Sequence, residues 1–185
     1  DKYKVAHTGQ RVDTHHGDNS YTYVVQAERV RDFVIFVSEH YEQIESRIDD
    51  ITIKSCSFSG RGEKALIIGT KALRTFNELF GKYPYEVFTI AESDFYVGGM
   101  EYPQIVQIDS TAYKENEVWL EYLIVHEIAH QWWYGLVGNN EVDEPWLDEG
   151  LTEYSTLLYF EHNYGIEYKT AIMQSFIINN IEMQD

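Results

Sequence analysis

His126 and His130 stand four residues apart, and Glu127 directly follows the first of them. On an α-helix, a spacing of four residues rotates the side chain by roughly 40° and raises it by about 6 Å, so both imidazoles project from one face. Two nitrogens in that arrangement suit a tetrahedral Zn²⁺ ion, whose Zn–N distances are about 2.0–2.1 Å. The carboxylate of Glu127 can reach a metal-bound water without ligating the metal, which is the position of a general base.

A third ligand candidate follows further along the chain. Eighteen residues separate His130 from Glu149, and Pro145 stands at a plausible first position of the helix that would carry this glutamate. Two histidines, one glutamate and an open fourth position form the ligand set of a catalytic zinc site rather than a structural one. We therefore predict one Zn²⁺ per chain, with Glu127 passing a proton from the bound water to a leaving amine. A salt-bridged surface helix is the alternative reading of the motif.

Glu153 is a candidate for the outer shell of this site. It lies four residues after Glu149, on the same face of the predicted helix. Metal-ligating imidazoles usually donate their second ring N–H to a carboxylate, a carbonyl or a water. Glu153 could accept such a bond, and the alternative of a solvated carboxylate near the start of the helix stays open.

A second segment, GGMEYP at residues 98–103, combines two glycines with a carboxylate. Adjacent glycines allow another backbone to approach closely, and the pattern predicts a strand directly afterwards, at residues 104–108. An extended peptide could pair with such an edge through main-chain hydrogen bonds, and Glu101 beside it could receive a positive group. From the residues alone, a simple turn with a nearby glutamate accounts for the segment as well.

Acidic residues dominate the composition, and their distribution is uneven. The formal net charge is −17, which argues against nucleic acid and against anionic membrane surfaces as partners. Residues 115–167 contain twelve Asp or Glu and no Lys or Arg, and they include the ligand candidates. A field of this sign favours a divalent cation and a substrate with a positive end, although a merely soluble acidic surface explains most of these residues equally well.

Several classes of protein are excluded by simpler features. Cys56 is the only cysteine, so neither an internal disulfide framework nor a cysteine metal site is possible. No run of 18 apolar residues occurs, which predicts no transmembrane helix in this piece. The chain begins without Met and as if inside a strand, so we expect an excised piece. The missing signal region therefore leaves the compartment open, with the cytoplasm favoured over secretion, and the oligomeric state is also open.

The apolar pattern predicts an α+β fold in which strands precede the helices that carry the ligands. Residues 11–20 read as a polar connection between the first two strands. The predicted strands are residues 3–10, 21–28, 51–57, 85–90 and 105–108, with a further apolar segment beginning at 34–37. The predicted helices are residues 63–79, 116–134, 145–161 and 166–181. The two zinc-ligand helices are the second and third of these.

Three segments together resemble the zinc aminopeptidases of the M1, or aminopeptidase N-like, family of gluzincins. They are HEIAH with Glu149 after eighteen residues, WLDEGLTEY at 146–154, and GGMEYP as a variant of the family's Gly-x-Met-Glu-Asn exopeptidase motif. The resemblance covers most of the chain and implies a fragment with two parts. Residues 1–28 resemble the closing β hairpin of an N-terminal β domain. Residues 29–185 resemble a thermolysin-like zincin catalytic domain, a mixed sheet with an edge strand followed by the ligand-bearing helices, without its C-terminal part.

The resemblance also implies a role for each matching residue. His126, His130 and Glu149 would bind the metal, and Glu127 would be the general base. Glu101 would bind the free α-amine of the substrate, and Gly98, Gly99 and Met100 would line the substrate backbone. A carboxylate beyond the metal selects a substrate with an ammonium terminus and stops it after one residue. The implied partner is therefore a peptide with a free N-terminus.

Two departures from the family pattern limit what is carried over. Tyr102 replaces the family's Asn, so no contact of that Asn is assigned. The family's transition-state-stabilising Tyr lies well downstream of the third ligand, so we expect it beyond residue 185 and assign no catalytic Tyr among the fifteen present. Two other functions stay open, a thermolysin-like endopeptidase without an amine anchor and a non-catalytic peptide-binding module.

Overall fold

A mixed β-sheet covered by helices forms the centre of the chain, which is an α+β arrangement. The computed structural model describes residues 2–114 and 116–179. The strands in this part are β1 (Lys4–His7), β2 (Gln10–His16), β3 (Tyr21–Gln26), β4 (Ile35–Ser38), β5 (Glu42–Ile48), β6 (Ile51–Ser57), β7 (Val87–Ser93), β8 (Gly99–Met100) and β9 (Ile105–Asp109). The helices are α1 (Gly62–Phe80), α2 (Ser110–Lys114), α3 (Glu117–Ala129), α4 (Pro145–Tyr164) and α5 (Ile166–Ile172), which continues into a π-helical segment (Met173–Ile178). None of these helices is both long and apolar enough to cross a lipid bilayer.

The main sheet has five strands in the order β5-β6-β7-β9-β8. The three central strands run parallel, and the edge strands β5 and β8 are each antiparallel to their neighbours. Parallel neighbours need a long crossover, which α1 provides between β6 and β7. The short strand β8 is an edge of the sheet, and it contains two residues of the predicted substrate-binding segment. The strand at residues 104–108, predicted as an edge for peptide pairing, is β9, which lies inside the sheet between β7 and β8.

Besides the two-residue β8, two seven-residue strands are missing from the sequence prediction. The predicted polar connection at residues 11–20 is wrong, because β2 occupies most of it and pairs with β3 as an antiparallel hairpin. Strand β5 was not predicted at all, and its residues are exposed except for Ile48. Both strands are mostly solvent-exposed on both faces, so they lack the alternation of apolar and polar residues by which a half-buried strand is recognised.

The first helix confirms its predicted position and buries the predicted apolar stripe. Its buried side chains include Ala65, Leu66, Ile68, Ala72, Leu73 and Phe76. The helix packs closely on the sheet at Gly69, where an added Cβ would lie 2.5 Å from Cδ1 of Ile90 and 2.9 Å from Cδ1 of Ile53. Helix α1 also packs against α3, so the helix that carries His126 and ends at the C-cap residue His130 is anchored on the core.

Helix α3 is shorter than predicted, since it ends at Ala129 instead of Tyr134. The chain leaves the helix because the next two indoles bind partners on other elements. The indole N–H of Trp132 donates to the Gly81 carbonyl at 3.0 Å, and the indole N–H of Trp133 donates to Ser155 Oγ at 2.7 Å. The last predicted helix, residues 166–181, is helical over its described part, with residues 180 and 181 outside the described ranges.

Candidate metal centre

The three predicted ligand side chains converge on one point between α3 and α4. Nε2 of His126 lies 3.2 Å from Oε2 of Glu149, and Nε2 of His130 lies 3.7 Å from the same oxygen. One ligand atom from each residue can be chosen so that all three lie within 4.8 Å of one another. A tetrahedral zinc ion with bonds of about 2.0–2.1 Å holds its ligands about 3.3 Å apart. The observed spacing therefore fits such an ion.

The backbone of two packed helices sets this spacing. His126 lies on α3 and His130 is its C-cap residue one turn later, and their ring centroids are 5.0 Å apart. Helix α4 begins at Pro145, so Glu149 lies one turn inside it. Buried side chains of α4, including Leu157 and Phe160, belong to the same core cluster as the apolar face of α3. Packing between the helices thus brings the carboxylate to the histidines.

The ring of His130 is held by its other nitrogen. Nδ1 lies 3.1 Å from the Trp133 carbonyl oxygen and 3.1 Å from Oγ1 of Thr152. Because a carbonyl can only accept, Nδ1 carries a ring proton, and Nε2 is the nitrogen that faces Glu149 and would be available to a metal. This is the tautomer that a metal-ligating histidine requires.

Glu153 lies on the opposite side of the site, beside His126. Its Oε1 is 3.4 Å from Nδ1 of His126 and also accepts a hydrogen bond from the Tyr122 hydroxyl. The residue is therefore located where the sequence suggested an outer-shell acceptor. The separation to the imidazole is long, and Nδ1 has no aligned hydrogen-bond partner among the described residues.

Glu127 lies beneath the ligands in a buried position, with 5% of its surface exposed. Burial raises the pKa of its carboxyl group to about 7, and the two neighbouring imidazoles oppose that shift. Its Oε2 is buried without a hydrogen-bond partner in the described part of the chain. The carboxyl is therefore a proton-accepting group near neutral pH, and its Oε2 is not engaged by another group of the described residues.

Charge complementarity holds the ligand set together. Hydrogen bonds to His126 and then His130 lower the pKa of Glu149 well below its usual range. Burial would lower the pKa of each histidine, yet the bonds to Glu149 and the nearby carboxylates outweigh it and raise both. The side chains of His126, His130 and Glu149 thus favour a positive charge between them. A divalent cation carries twice the charge of a proton and would satisfy this preference more fully.

The predicted substrate-binding segment forms one wall of the same cleft, which has a volume of about 610 Å³. Gly99, Met100 and Glu101 line it together with the ligand side chains, whereas Gly98 lies one residue back and accepts a hydrogen bond from the Asp109 N–H at 2.7 Å. A carboxylate oxygen of Glu101 lies within 4.8 Å of potential ligand atoms of His130 and Asp148. A larger cleft of about 730 Å³ lies elsewhere, and its lining contains no histidine.

Several residues of the site were missed by the sequence reasoning. Gln131 accepts from the Gln104 N–H at 2.9 Å and donates to the Tyr102 carbonyl at 3.2 Å, so it ties the segment after Glu101 to the end of α3. Asp148 is buried and accepts from Nδ2 of Asn139 at 2.7 Å. Direct adjacency to a ligand was the available signal, because Gln131 follows His130 and Asp148 precedes Glu149.

Comparison with known proteins gives one family match. The family described as "Peptidase family M1 domain" matches residues 64–185, which is 122 of the 185 residues. Among curated proteins, the mouse "Aminopeptidase RNPEPL1" is 28% identical over 114 residues, covering 60% of this chain and 16% of that protein. The "Aminopeptidase M1" of Arabidopsis thaliana is 34% identical over 108 residues, covering 53% of this chain and 12% of that protein.

Solved structures give the same fold over nearly the whole chain. A mutant of an M1 zinc metallopeptidase from Deinococcus radiodurans, bound to a Tyr-Ser-Ala substrate, superposes with a TM-score of 0.69. The match has 19% sequence identity and covers 96% of this chain and 42% of that chain. The sequence described above therefore spans less than half of that structure and about one sixth or less of the two curated relatives.

Proposed function

Since the chain belongs to peptidase family M1, we propose that it is the metal-binding part of a zinc aminopeptidase that removes N-terminal residues from peptides. The observation that carries this proposal is the convergence of His126, His130 and Glu149 within 4.8 Å beside the buried Glu127. Because the chain covers only a small share of its relatives, the reaction is proposed for the full-length protein that contains it.

The proposal includes the finer assignment of the fold. Residues 29–185 would form a thermolysin-like zincin catalytic domain, and residues 1–28 would be the end of a preceding β domain. The parallel strands followed by α3 and α4 support the first assignment. The exposed β2–β3 hairpin supports the second.

The residues present fit a bound zinc ion, and different residues would bind the metal and transfer the proton. His126, His130 and Glu149 would hold it, and it would supply a Lewis acid and lower the pKa of water to about 7. Glu127 has a carboxyl pKa of about 7, so it can take up a proton at neutral pH and deliver it to the departing amine. Its burial keeps bulk water from competing for that proton.

Glu101 would bind the free α-amine of the substrate. Its carboxylate lies at the cleft wall, close to His130 and outside the proposed ligand set. An ammonium group bound there would place the first peptide bond near the metal, and a substrate with a longer N-terminal extension would lose this contact. The edge strand β8 supports this, since it can pair with an extended peptide, and the Deinococcus protein binds a peptide of three residues.

The full-length protein, loaded with zinc, is expected to hydrolyse aminoacyl amides and to leave their N-acetylated counterparts intact. Acetylation removes the positive charge that Glu101 would bind while leaving the scissile bond unchanged. The measurement is kcat/KM for matched pairs of free and acetylated substrates. Equal rates within each pair would rule out an aminopeptidase and favour an endopeptidase.

Replacing Glu101 by glutamine is expected to lower the preference for free over acetylated substrates by about 10–100-fold. Hydrogen bonds to charged groups contribute about 1.5–3 kcal/mol, and each 1.4 kcal/mol corresponds to about a factor of ten. The ratio of kcat/KM values for each substrate pair reports the change. A thermolysin-like endopeptidase would show the same ratio in the variant and in the wild type.

Replacing Gly99 by alanine is expected to lower kcat by up to about 100-fold without loss of zinc, since misplacing a reacting group by about 1 Å can cost that much. The added Cβ would lie 2.1 Å from Oε1 and 2.4 Å from Cδ of Glu127, so the general base has to move. The measurement is kcat together with zinc content. Gly150→Ala is the matched control, because, apart from its chain neighbours and the backbone of its own helix, no heavy atom of the described residues lies within 4 Å of its added Cβ. Equal kcat values for both variants would contradict the proposed position of the base.

The zinc content of the purified protein tests the alternative of a non-catalytic peptide-binding module. A peptide-binding module would not require a buried carboxyl group with a pKa of about 7 beside the histidines. Purified full-length protein is expected to contain one zinc per chain by elemental analysis. Metal-free protein with intact fold and undiminished peptide binding would favour the non-catalytic alternative.

A further inference from the structure

We propose that Tyr122 is a positioning residue for zinc, which acts by holding Glu153 against Nδ1 of His126; this inference rests on the proposed function. The Tyr122 hydroxyl donates to Oε1 of Glu153, and the same oxygen lies 3.4 Å from Nδ1 of His126. The tyrosine lines the same cleft but is not one of the proposed metal ligands. Its effect passes through the carboxylate to the imidazole.

The two helices place these groups by a simple rule of spacing. Tyr122 lies one turn before His126 on α3, and Glu153 lies one turn after Glu149 on α4. Each helix therefore contributes a ligand and, one turn away, a side chain that supports the other helix's group. The hydroxyl reaches from α3 to α4, and the carboxylate reaches back from α4 to α3.

The environment of Tyr122 leaves its hydroxyl little freedom. The side chain is buried, and its ring stacks on Trp119 at 5.7 Å and lies nearly parallel to the His126 ring at 6.2 Å. Glu153, in contrast, has 32% of its side chain exposed and could turn its carboxylate toward solvent. A fixed donor on one oxygen is what keeps that carboxylate beside the imidazole.

The two histidines differ in how their second nitrogen is satisfied. Nδ1 of His130 has a backbone carbonyl and a hydroxyl at 3.1 Å. Nδ1 of His126 and Oε2 of Glu153 are both buried without a hydrogen-bond partner among residues 2–114 and 116–179. Buried polar groups in native proteins almost always find a partner. A small rotation of the Glu153 carboxylate would shorten the 3.4 Å separation between its Oε1 and Nδ1 and give that nitrogen a hydrogen-bond acceptor.

A bond from Nδ1–H to this carboxylate would serve the metal in two ways. It selects the tautomer that leaves the Nε2 lone pair for zinc, and it makes the imidazole a stronger ligand. His130 obtains its tautomer from the carbonyl of Trp133. For His126, Nδ1 makes no hydrogen bond to a backbone carbonyl in the described structure, so the carboxylate and the tyrosine that holds it take that role.

The test is the zinc affinity of the full-length Tyr122→Phe variant. We expect its zinc dissociation constant to rise by about 10–100-fold, the usual loss when an outer-shell partner of a ligand is removed. Phenylalanine keeps the ring packing and removes only the hydroxyl. Affinity is measured by competition with a chelator, on metal-free protein whose fold is checked by circular dichroism and thermal unfolding.

The chain offers a matched control in Tyr159. Its hydroxyl donates to Oε1 of Glu121 at 2.5 Å, so it forms the same kind of bond across the same two helices with the roles of the helices exchanged. Neither residue is among the proposed ligands or their contacts. Tyr159→Phe is therefore expected to change the stability of the metal-free protein and to leave the zinc dissociation constant unchanged.

A double-mutant cycle tests whether the tyrosine acts through the carboxylate. Glu153→Gln alone is expected to weaken zinc by a similar factor, and adding Tyr122→Phe to it should weaken zinc no further. Wild-type affinity in Tyr122→Phe, equal losses in Tyr122→Phe and Tyr159→Phe, or fully additive losses in the double variant would each overturn the inference. Absence of zinc from the wild-type protein would instead overturn the proposed function, and the inference with it.

Discussion

Replacing Glu127 by glutamine is expected to lower kcat by about 10²–10⁴-fold, the usual contribution of a positioned general base, while one zinc per chain remains bound. Glutamine has nearly the same shape but cannot take up a proton at neutral pH. Glu127 is outside the set of converging ligand atoms, so its replacement removes no metal bond. The measurements are kcat on an aminoacyl amide and zinc content by elemental analysis.

The control for this variant lies on the same helix. Glu117→Gln changes an exposed glutamate in the first turn of α3, which pairs with Lys64 at 2.9 Å, and should leave both readouts unchanged. Loss of zinc from Glu127→Gln would contradict the division between ligands and base. Full activity with zinc bound would remove Glu127 from the mechanism, although the rest of the metal site would stand.

Replacing Glu149 by alanine is expected to weaken zinc binding by more than about 100-fold, because loss of a direct ligand should exceed the 10–100-fold cost of losing an outer-shell partner. The carboxylate is also the group that lies within 4 Å of Nε2 of both histidines. Without it, the two imidazoles face each other with no negative charge between them. Chelator competition on the metal-free protein measures the change, and activity at saturating zinc tests whether the site can be refilled.

Glu144→Ala is the comparison for that experiment. Glu144 immediately precedes α4 and makes no side-chain capping bond, so its loss removes a carboxylate of the same type from the start of the same helix. Its zinc dissociation constant should match that of the wild type. If Glu149→Ala binds zinc as tightly as Glu144→Ala does, the third ligand has to be sought among other carboxylates of the cleft, such as Glu101 or Asp148.

The metal-ligand candidates could be predicted from the sequence because their arrangement is largely local. Helical geometry alone puts His126 and His130 on one face, with Glu127 beside them. The apolar stripe of α1 is local in the same sense, which explains why its bounds were predicted to within one residue at each end. These features depend on the backbone repeat of a single element, so a single segment of sequence specifies them.

Features that join two elements needed the tertiary structure. The contact between Gly99 and Glu127, the clamp of Gln131 on the segment after Glu101, and the bond from Tyr122 to Glu153 each connect side chains on different elements. Nothing in the spacing of the chain reveals such pairs, because they depend on how helices and strands pack. Each of these contacts involves, or lies next to, a residue that the sequence had already predicted to belong to the site.

The end of α3 shows which features follow from local sequence and which depend on tertiary contacts. Local propensity continues the helix through Trp132 and Trp133, yet it stops at Ala129 because both indoles bond to other elements and the Trp133 carbonyl turns back to His130. The sequence by itself determined which side chains can ligate a metal, since their common face follows from the helix repeat. Only the tertiary structure decided how those side chains are oriented and supported, since orientation depends on hydrogen bonds and packing between segments distant along the chain.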